Sequence, residues 1–205
     1  MRLFKSFNKF KKKIAIIDSV YSNLTYKQIL KETDKIKKKI KKRSLVLIIS
    51  ENSLGSLLAY IFCIINNHVG IIVDSKTEKK NILKIFKSYQ PQYTFLSKKN
   101  IFILQKVCFE KYTFFDQSLM KNKSNKKINI NKDLSLLLST SGSMGSIKFV
   151  KLSKNNLKHN TDSIISYLKI NKKDSAITSL PISYSYMISI INTHFEVGGS
   201  IVISK

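Results

Sequence analysis

Apolar positions in this chain fall into short continuous runs separated by stretches with helical spacing. Residues 14–17, 45–49, 69–73 and 93–96 are runs of aliphatic and aromatic side chains, and each predicts a strand. The unbroken Leu45-Val46-Leu47-Ile48-Ile49 run has the character of a parallel strand covered on both faces. Between the runs lie helical signals. Thr25, with Gln28 three residues on, forms a capping box, and Ile29, Ile36 and Ile40 carry an apolar stripe to about Lys42. Residues 54–66 form a second helix, heavily apolar and capped within Glu51-Asn52-Ser53, and residues 79–89 a third. Such alternation predicts an α/β fold, a mostly parallel doubly wound sheet with flanking helices. No G-x-G-x-x-G follows the first strand, which argues against a dinucleotide fold of the usual kind.

The second half is less regular. Residues 101–104 and 112–115 are short strand candidates, and residues 120–132, rich in Lys, Asn and Ser, predict a polar surface loop. Residues 147–152 and 174–181 predict strands on either side of a helix at 153–168, and residues 201–203 close with another strand. His194 has helical spacing from Ile190 and Ile191 and is expected to be a packing residue. Residues 1–13 are read as a basic, solvated tail, and 14–205 as one partial domain.

Charge changes this picture little. The net charge is +25, but of 37 basic residues only Arg2 and Arg43 are arginines, the side chain that forks onto phosphates and guanine edges. Scattered lysines beside abundant Ile and Asn match the codon bias of an AT-rich genome, so no nucleic-acid partner is expected. Cys63 and Cys108 lie too far apart in sequence to suggest a metal or disulfide framework. No apolar run reaches the ~20 residues of a membrane span, and the N-terminus lacks a signal-peptide pattern, so a cytoplasmic protein is expected.

Candidate chemistry concentrates at one interruption. Leu136-Leu137-Leu138 enters it, Thr140, Ser141, Gly142, Ser143, Met144, Gly145 and Ser146 fill it, and a second alternating run leaves through Lys148. Glycines beside hydroxyl residues expose backbone N–H groups that can converge on a phosphate. A hairpin turn uses the same residues, and the spacing is not that of a P-loop, which runs from strand to helix.

Thr140-Ser141-Gly142-Ser143-Met144-Gly145-Ser146-Ile147-Lys148-Phe149-Val150 resembles the Thr-Ser-Gly-Ser-Thr-Gly-x-Pro-Lys-Gly-Val loop of the AMP-forming adenylating enzymes. These comprise acyl-CoA synthetases, luciferases and peptide-synthetase adenylation domains. It departs from them at Met144, Ile147 and Phe149, and Met144 removes a hydroxyl that the family keeps near the ATP phosphates. Leu24-Thr25-Tyr26, Ser153 with Asn156 and Leu157, and Leu180-Pro181 followed by Tyr184-Ser185-Tyr186 are similar to further blocks of that family, in the same order.

The resemblance implies the N-terminal portion of an adenylate-forming core, truncated before the segments that bind adenine and ribose and before the mobile domain with its catalytic Lys. It implies a carboxylate-activating ligase using ATP with Mg²⁺, a small carboxylic acid as substrate, and CoA or a carrier-protein phosphopantetheine thiol as acceptor. An acyl carrier protein is then a possible partner. Thr140, Ser141, Gly142, Ser143, Met144, Gly145 and Lys148 would hold the phosphates, and Tyr184 would line the acyl pocket, its other reading being an aromatic that packs the start of a helix. The family's catalytic Lys and Glu have no counterpart, so residues 1–205 alone are expected to be inactive. The alternative is a non-catalytic remnant acting at most as a binding module. A truncated core should also leave an open sheet edge and an apolar face at residues 201–203, favouring association.

Overall fold

The central strands form where the chain is buried on both sides. In a computed structural model, which describes residues 3–124, 128–139 and 148–204, the strands make two sheets. The first strands are β1 (Ile14–Asp18) and the two-residue β2 (Leu24–Thr25), followed by helix α1 (Tyr26–Lys37). Then come β3 (Leu45–Ser50), α2 (Leu54–Ile65), β4 (Val69–Asp74), α3 (Lys79–Tyr89) and β5 (Tyr93–Ser97). A hairpin of β6 (Cys108–Phe114) and β7 (Gln117–Asn122) precedes β8 (Leu134–Ser139) and β9 (Phe149–Ser153). The chain continues through α4 (Lys154–Leu168), β10 (Ser175–Ile177), α5 (Ser185–Val197) and β11 (Ser200–Ile203).

The large sheet has the order β6-β7-β5-β3-β4-β8-β9. Its four central strands β5, β3, β4 and β8 are mutually parallel, with antiparallel neighbours outside them. The period-2 rule sorts β3 cleanly. Val46 and Ile48 join one core cluster with Leu57, Leu58 and Phe62 of α2, while Leu47 and Ile49 join another with Ile82, Ile85 and Phe86 of α3. With α2 on one face and α3 on the other, the sheet is doubly wound.

Capping follows the sequence closely. The Thr25 hydroxyl accepts the Gln28 N–H and the Gln28 side chain accepts the Thr25 N–H, a complete capping box. Ser53 caps α2, and the Asp116 carboxylate from the β6–β7 turn accepts from Gly55 N–H and the Ser53 hydroxyl, 3.0 and 2.7 Å away. That places a negative charge at the positive end of the helix.

Inside the first cluster, Tyr60 donates to Asn192 Oδ1 at 2.7 Å, joining α2 to α5 where no water reaches. Tyr60→Phe would leave that oxygen without its donor, so it should cost about 1–3 kcal/mol. Urea unfolding measures it, and a change below about 0.5 kcal/mol would show that Asn192 finds another donor.

The structure corrects several expectations. Residues 3–13 are not a solvated tail: Leu3, Phe4 and Phe7 are core, and a 3-10 helix (Lys5–Asn8) seats them on α5. Phe4 N–H donates to Glu196 Oε2 at 2.7 Å, and Lys13 Nζ to Gly198 O at 2.6 Å. Gly198 closes α5 at φ 81°, where a Cβ would run into the Phe10 ring. Residues 98–103 form a 3-10 helix instead of a strand, with Ile101 and Ile103 half-buried against the second core cluster and Phe102 exposed. Met120, placed in a polar loop by the sequence, is a fully buried residue of β7, and Ile128 and Ile130 pack on the second core cluster. The strand expected at 174–181 is confined to β10.

The small sheet, ordered β10-β11-β1-β2, was not foreseen. It also overturns the open edge at residues 201–203. Strand β11 pairs in parallel with β1 on one side and β10 on the other, and Ile201 is fully buried.

Candidate nucleotide cleft

The carboxyl ends of β3, β4 and β8 meet side by side, since Ser50 pairs with Asp74 and β4 runs parallel to β8. The connection after β3 goes to one face and that after β4 to the other, so this is where the winding of the sheet reverses. Ligands of open α/β sheets bind outside the strand ends at such a point.

A cleft of about 500 Å³ lies beside this point, at the carboxyl ends of β4 and β8, a volume suited to a small ligand. It is lined by Asp74 at the end of β4 and by Leu138 and Ser139 at the end of β8. Val150 and Leu152 of the neighbouring strand β9 and the Ser183-Tyr184-Ser185 turn opening α5 complete the lining. That turn is held over the strand ends by Tyr184 N–H donating to Pro181 O at 3.0 Å, with the Ser183 hydroxyl 3.4 Å from Asp74 Oδ2. Tyr184, 55% exposed, stands at the N-cap position of α5 with its ring toward open space.

Strands β8 and β9 pair antiparallel from Leu134 with Ser153 to Ser139 with Phe149, so the Ser/Gly-rich segment connects two strands. Thr140, Ser141, Gly142, Ser143, Met144 and Gly145 lie outside the described residues. Ser139, the last residue before them, is on the cleft rim with Tyr184. Lys148 precedes β9, exposed, and is not among the residues lining the cleft.

The other titratable candidates are packed. His194 is nearly buried, with Nδ1 2.9 Å from Ile190 O. Cys63 and Cys108 are buried free thiols. Burial pushes both up, Cys108 to about 11, so neither is a ready nucleophile. No helix among the described residues is long and apolar enough to cross a membrane.

Sequence reasoning passed over Asp74, Ser139 and Ser183. Their signal was positional: each sits at or just beyond the carboxyl end of a strand, or at the turn facing it. Asn52, also unremarked, donates to Thr178 O and Ser204 O at 2.7 and 2.9 Å, tying the loop after β3 to the end of the small sheet.

Comparison with known proteins agrees with this geometry. The family model described as AMP-binding enzyme matches residues 3–205. Among solved structures, apo MatB from Rhodopseudomonas palustris is similar over 99% of this chain, with TM-score 0.80 and 18% identity. VinN is similar over 99% of the chain, with TM-score 0.80 and 12% identity. The Vibrio cholerae adenylation domain AlmE, in complex with glycyl-adenosine-5'-phosphate, is similar over 97%, with TM-score 0.77 and 13% identity. The chain spans 45% of the MatB chain, 56% of VinN and 43% of AlmE. No curated protein matches it.

Proposed function

The chain belongs to the AMP-binding enzyme family, and from that premise we propose that it forms the phosphate-binding part of an ATP-dependent carboxylate-activating ligase. The observation that carries this is the position of the β8–β9 connection, which leaves from Ser139 in a cleft that Tyr184 also lines. In the proposed reaction a substrate carboxylate oxygen attacks the α-phosphorus of ATP. The O–P bond of the acyl-adenylate forms as the bond to the pyrophosphate oxygen breaks. A thiol of CoA or of a carrier protein's phosphopantetheine then attacks the acyl carbon and AMP leaves.

Each residue's part follows from its chemistry. Backbone N–H groups and hydroxyls of Thr140, Ser141, Gly142, Ser143 and Gly145 would bind the β- and γ-phosphates and stabilise charge on the departing pyrophosphate. Met144 offers only its backbone. Lys148 would add a positive charge at the exit of the loop, and Tyr184 would wall the acid-binding side of the cleft. The hydroxyls of Ser139 and Ser183 fit a phosphate or a carboxylate. Mg²⁺ would arrive on the ATP.

Met144, Ile147 and Phe149 motivate a second reading, a remnant that binds without turning over, since all three alter the phosphate loop. Calorimetric titration of the chain with ATP and with tripolyphosphate, using citrate as the control for a surface of net charge +25, tests both. ATP and tripolyphosphate, which share the phosphates the loop would hold, should bind saturably and more tightly than citrate. Lys148→Ala should weaken ATP binding about tenfold, the usual effect of losing a charge-assisted contact. ATP–pyrophosphate exchange over a panel of small acids is expected to be absent for residues 1–205 alone on either reading, and acid-dependent exchange would overturn the remnant reading. ATP binding no better than citrate would overturn both.

A further inference from the structure

A second cavity, of about 870 Å³, lies at the opposite end of the large sheet from the nucleotide cleft. Ser135 at the start of β8 lines it, and Ser139, which lines the cleft, is about 13 Å farther along the same strand. The two spaces differ in charge. Among its described lining the cleft holds one carboxylate, Asp74, and no lysine or arginine. The second cavity collects lysines from three separate elements: Lys5 of the 3-10 helix, Lys37 closing α1 and Lys154 opening α4. Lys154 is half-buried, with its Nζ 3.2 Å from Lys132 O. One carboxylate, Asp133, shares the lining, and the Arg43 guanidinium interacts with it electrostatically. Arg43 also donates to Asn67 O, Asn131 O and Leu134 O at 3.1, 3.0 and 2.6 Å, which ties together the segments carrying Asn67 and Asp133 at the cavity wall.

Two further observations point to an anionic ligand. Helix α4 begins here with no acidic residue in its first turn, so the positive end of its dipole adds to the lysines. Ser135 is 5% exposed and lines the cavity, yet among the described residues no hydrogen bond engages its hydroxyl. A buried hydroxyl without a partner is costly, and a bound acceptor relieves that cost. Phosphate suits the arrangement better than carboxylate. Its three terminal oxygens point in different directions, as ammonium groups arriving from three elements require, whereas the two oxygens of a carboxylate share one plane. Ile64 and Leu157, both buried, offer apolar surface to a short organic body, and the volume is in the range of small-molecule sites. We propose that this cavity is a second ligand site, separate from the nucleotide cleft, which binds a small phosphate monoester through Lys5, Lys37, Lys154 and the Ser135 hydroxyl. It stands independently of the ligase reading.

Calorimetric titration of the chain with glucose 6-phosphate, inorganic phosphate and citrate at physiological salt tests the site. Glucose 6-phosphate should bind saturably and about tenfold or more tightly than citrate, the scale of a charge-assisted contact. It should also bind more tightly than inorganic phosphate, which lacks the organic body. Lys37→Ala, a change at an exposed helix position, should weaken it about tenfold, and Ser135→Ala severalfold, the scale of one neutral hydrogen bond. Lys38→Ala removes the same charge from the next position, outside the lining, where salt screens it, and should change the affinity less than about twofold. Equal losses in Lys37→Ala and Lys38→Ala would reduce the binding to attraction by net charge and overturn the site. Citrate or inorganic phosphate binding as tightly as the sugar phosphate would overturn it too. So would a loss in Lys148→Ala as large as in Lys37→Ala, which would put the ligand at the Ser/Gly-rich connection instead.

Discussion

Phe7→Ala should lower the stability of the chain by about 3–5 kcal/mol, the range for removing a buried phenylalanine side chain. Phe7 is 1% exposed and sits in an aromatic group joining the N-terminal segment to α1 and α5. Its ring stacks on Phe4 at 5.1 Å and meets Tyr26 and Phe195 edge-on at 4.8 and 5.7 Å. Such pairs contribute about 0.5–1.5 kcal/mol each beyond the area they bury, and alanine loses them together. The cavity would open against Tyr26, whose hydroxyl donates to Gly199 O at 2.5 Å and so anchors the turn before β11. Collapse around the gap is therefore restricted. Lys12→Ala, on the exposed side of the same segment, should change stability by less than about 0.5 kcal/mol. Urea unfolding of both variants decides the matter. A Phe7→Ala loss below about 1 kcal/mol would return residues 3–13 to the status of a loosely attached tail.

That segment shows what was hard to see in the sequence. Phe4, Phe7 and Phe10 recur every third position, the spacing of a tight helical turn, but lysines between them dominate the composition. A lysine run says only that the outer face is wet; it does not say that the inner face is bare. Strands β3, β4 and β8 were legible because both faces are covered, which demands an unbroken apolar run. Residues 101–104 give a similar run, yet a one-sided 3-10 turn satisfies it equally, and four residues are too few for periodicity to decide.

The small sheet was illegible for a different reason. Its central strands β1 and β11 come from opposite ends of the chain, and nothing in either run names the other as partner. At the cleft, the sequence singled out the loop because its glycines and hydroxyls are unusual in density. It passed over Asp74 because an acidic residue after a strand looks like an ordinary turn former. Only the topology, which brings the ends of β4 and β8 beside the α5 turn, gives that carboxylate a place in the cleft.

Acidification should loosen the opposite end of the same strands through His68. This ring is 3% exposed, lies on Phe62 at 4.8 Å, and accepts the Ser44 N–H at Nδ1 across 3.2 Å. Accepting at Nδ1 assigns the proton of the neutral ring to Nε2. Burial, with a smaller contribution from the neighbouring Arg43 guanidinium, pushes the imidazole down to about 4. In the unfolded chain the same group titrates near 6.5, so between those values the unfolded state holds more protons. Stability therefore rises with pH across this window, and is lost as pH falls from about 6.5 toward about 4. The span amounts to roughly 3 kcal/mol.

Protonation would also break the acceptor bond to Ser44, whose carbonyl receives the Val69 N–H at 3.0 Å and so joins the starts of β3 and β4. Carboxylates titrate in the lower part of the window too, so the useful quantity is a difference between two proteins. His68→Gln keeps a hydrogen-bond acceptor and removes the titration. Its unfolding free energy should fall less than the parent's between about pH 7.5 and about pH 4.5, by roughly 2–3 kcal/mol. Parallel stability curves would mean that His68 accepts a proton without leaving its site, and that the Ser44 contact is not what holds the two strand ends together.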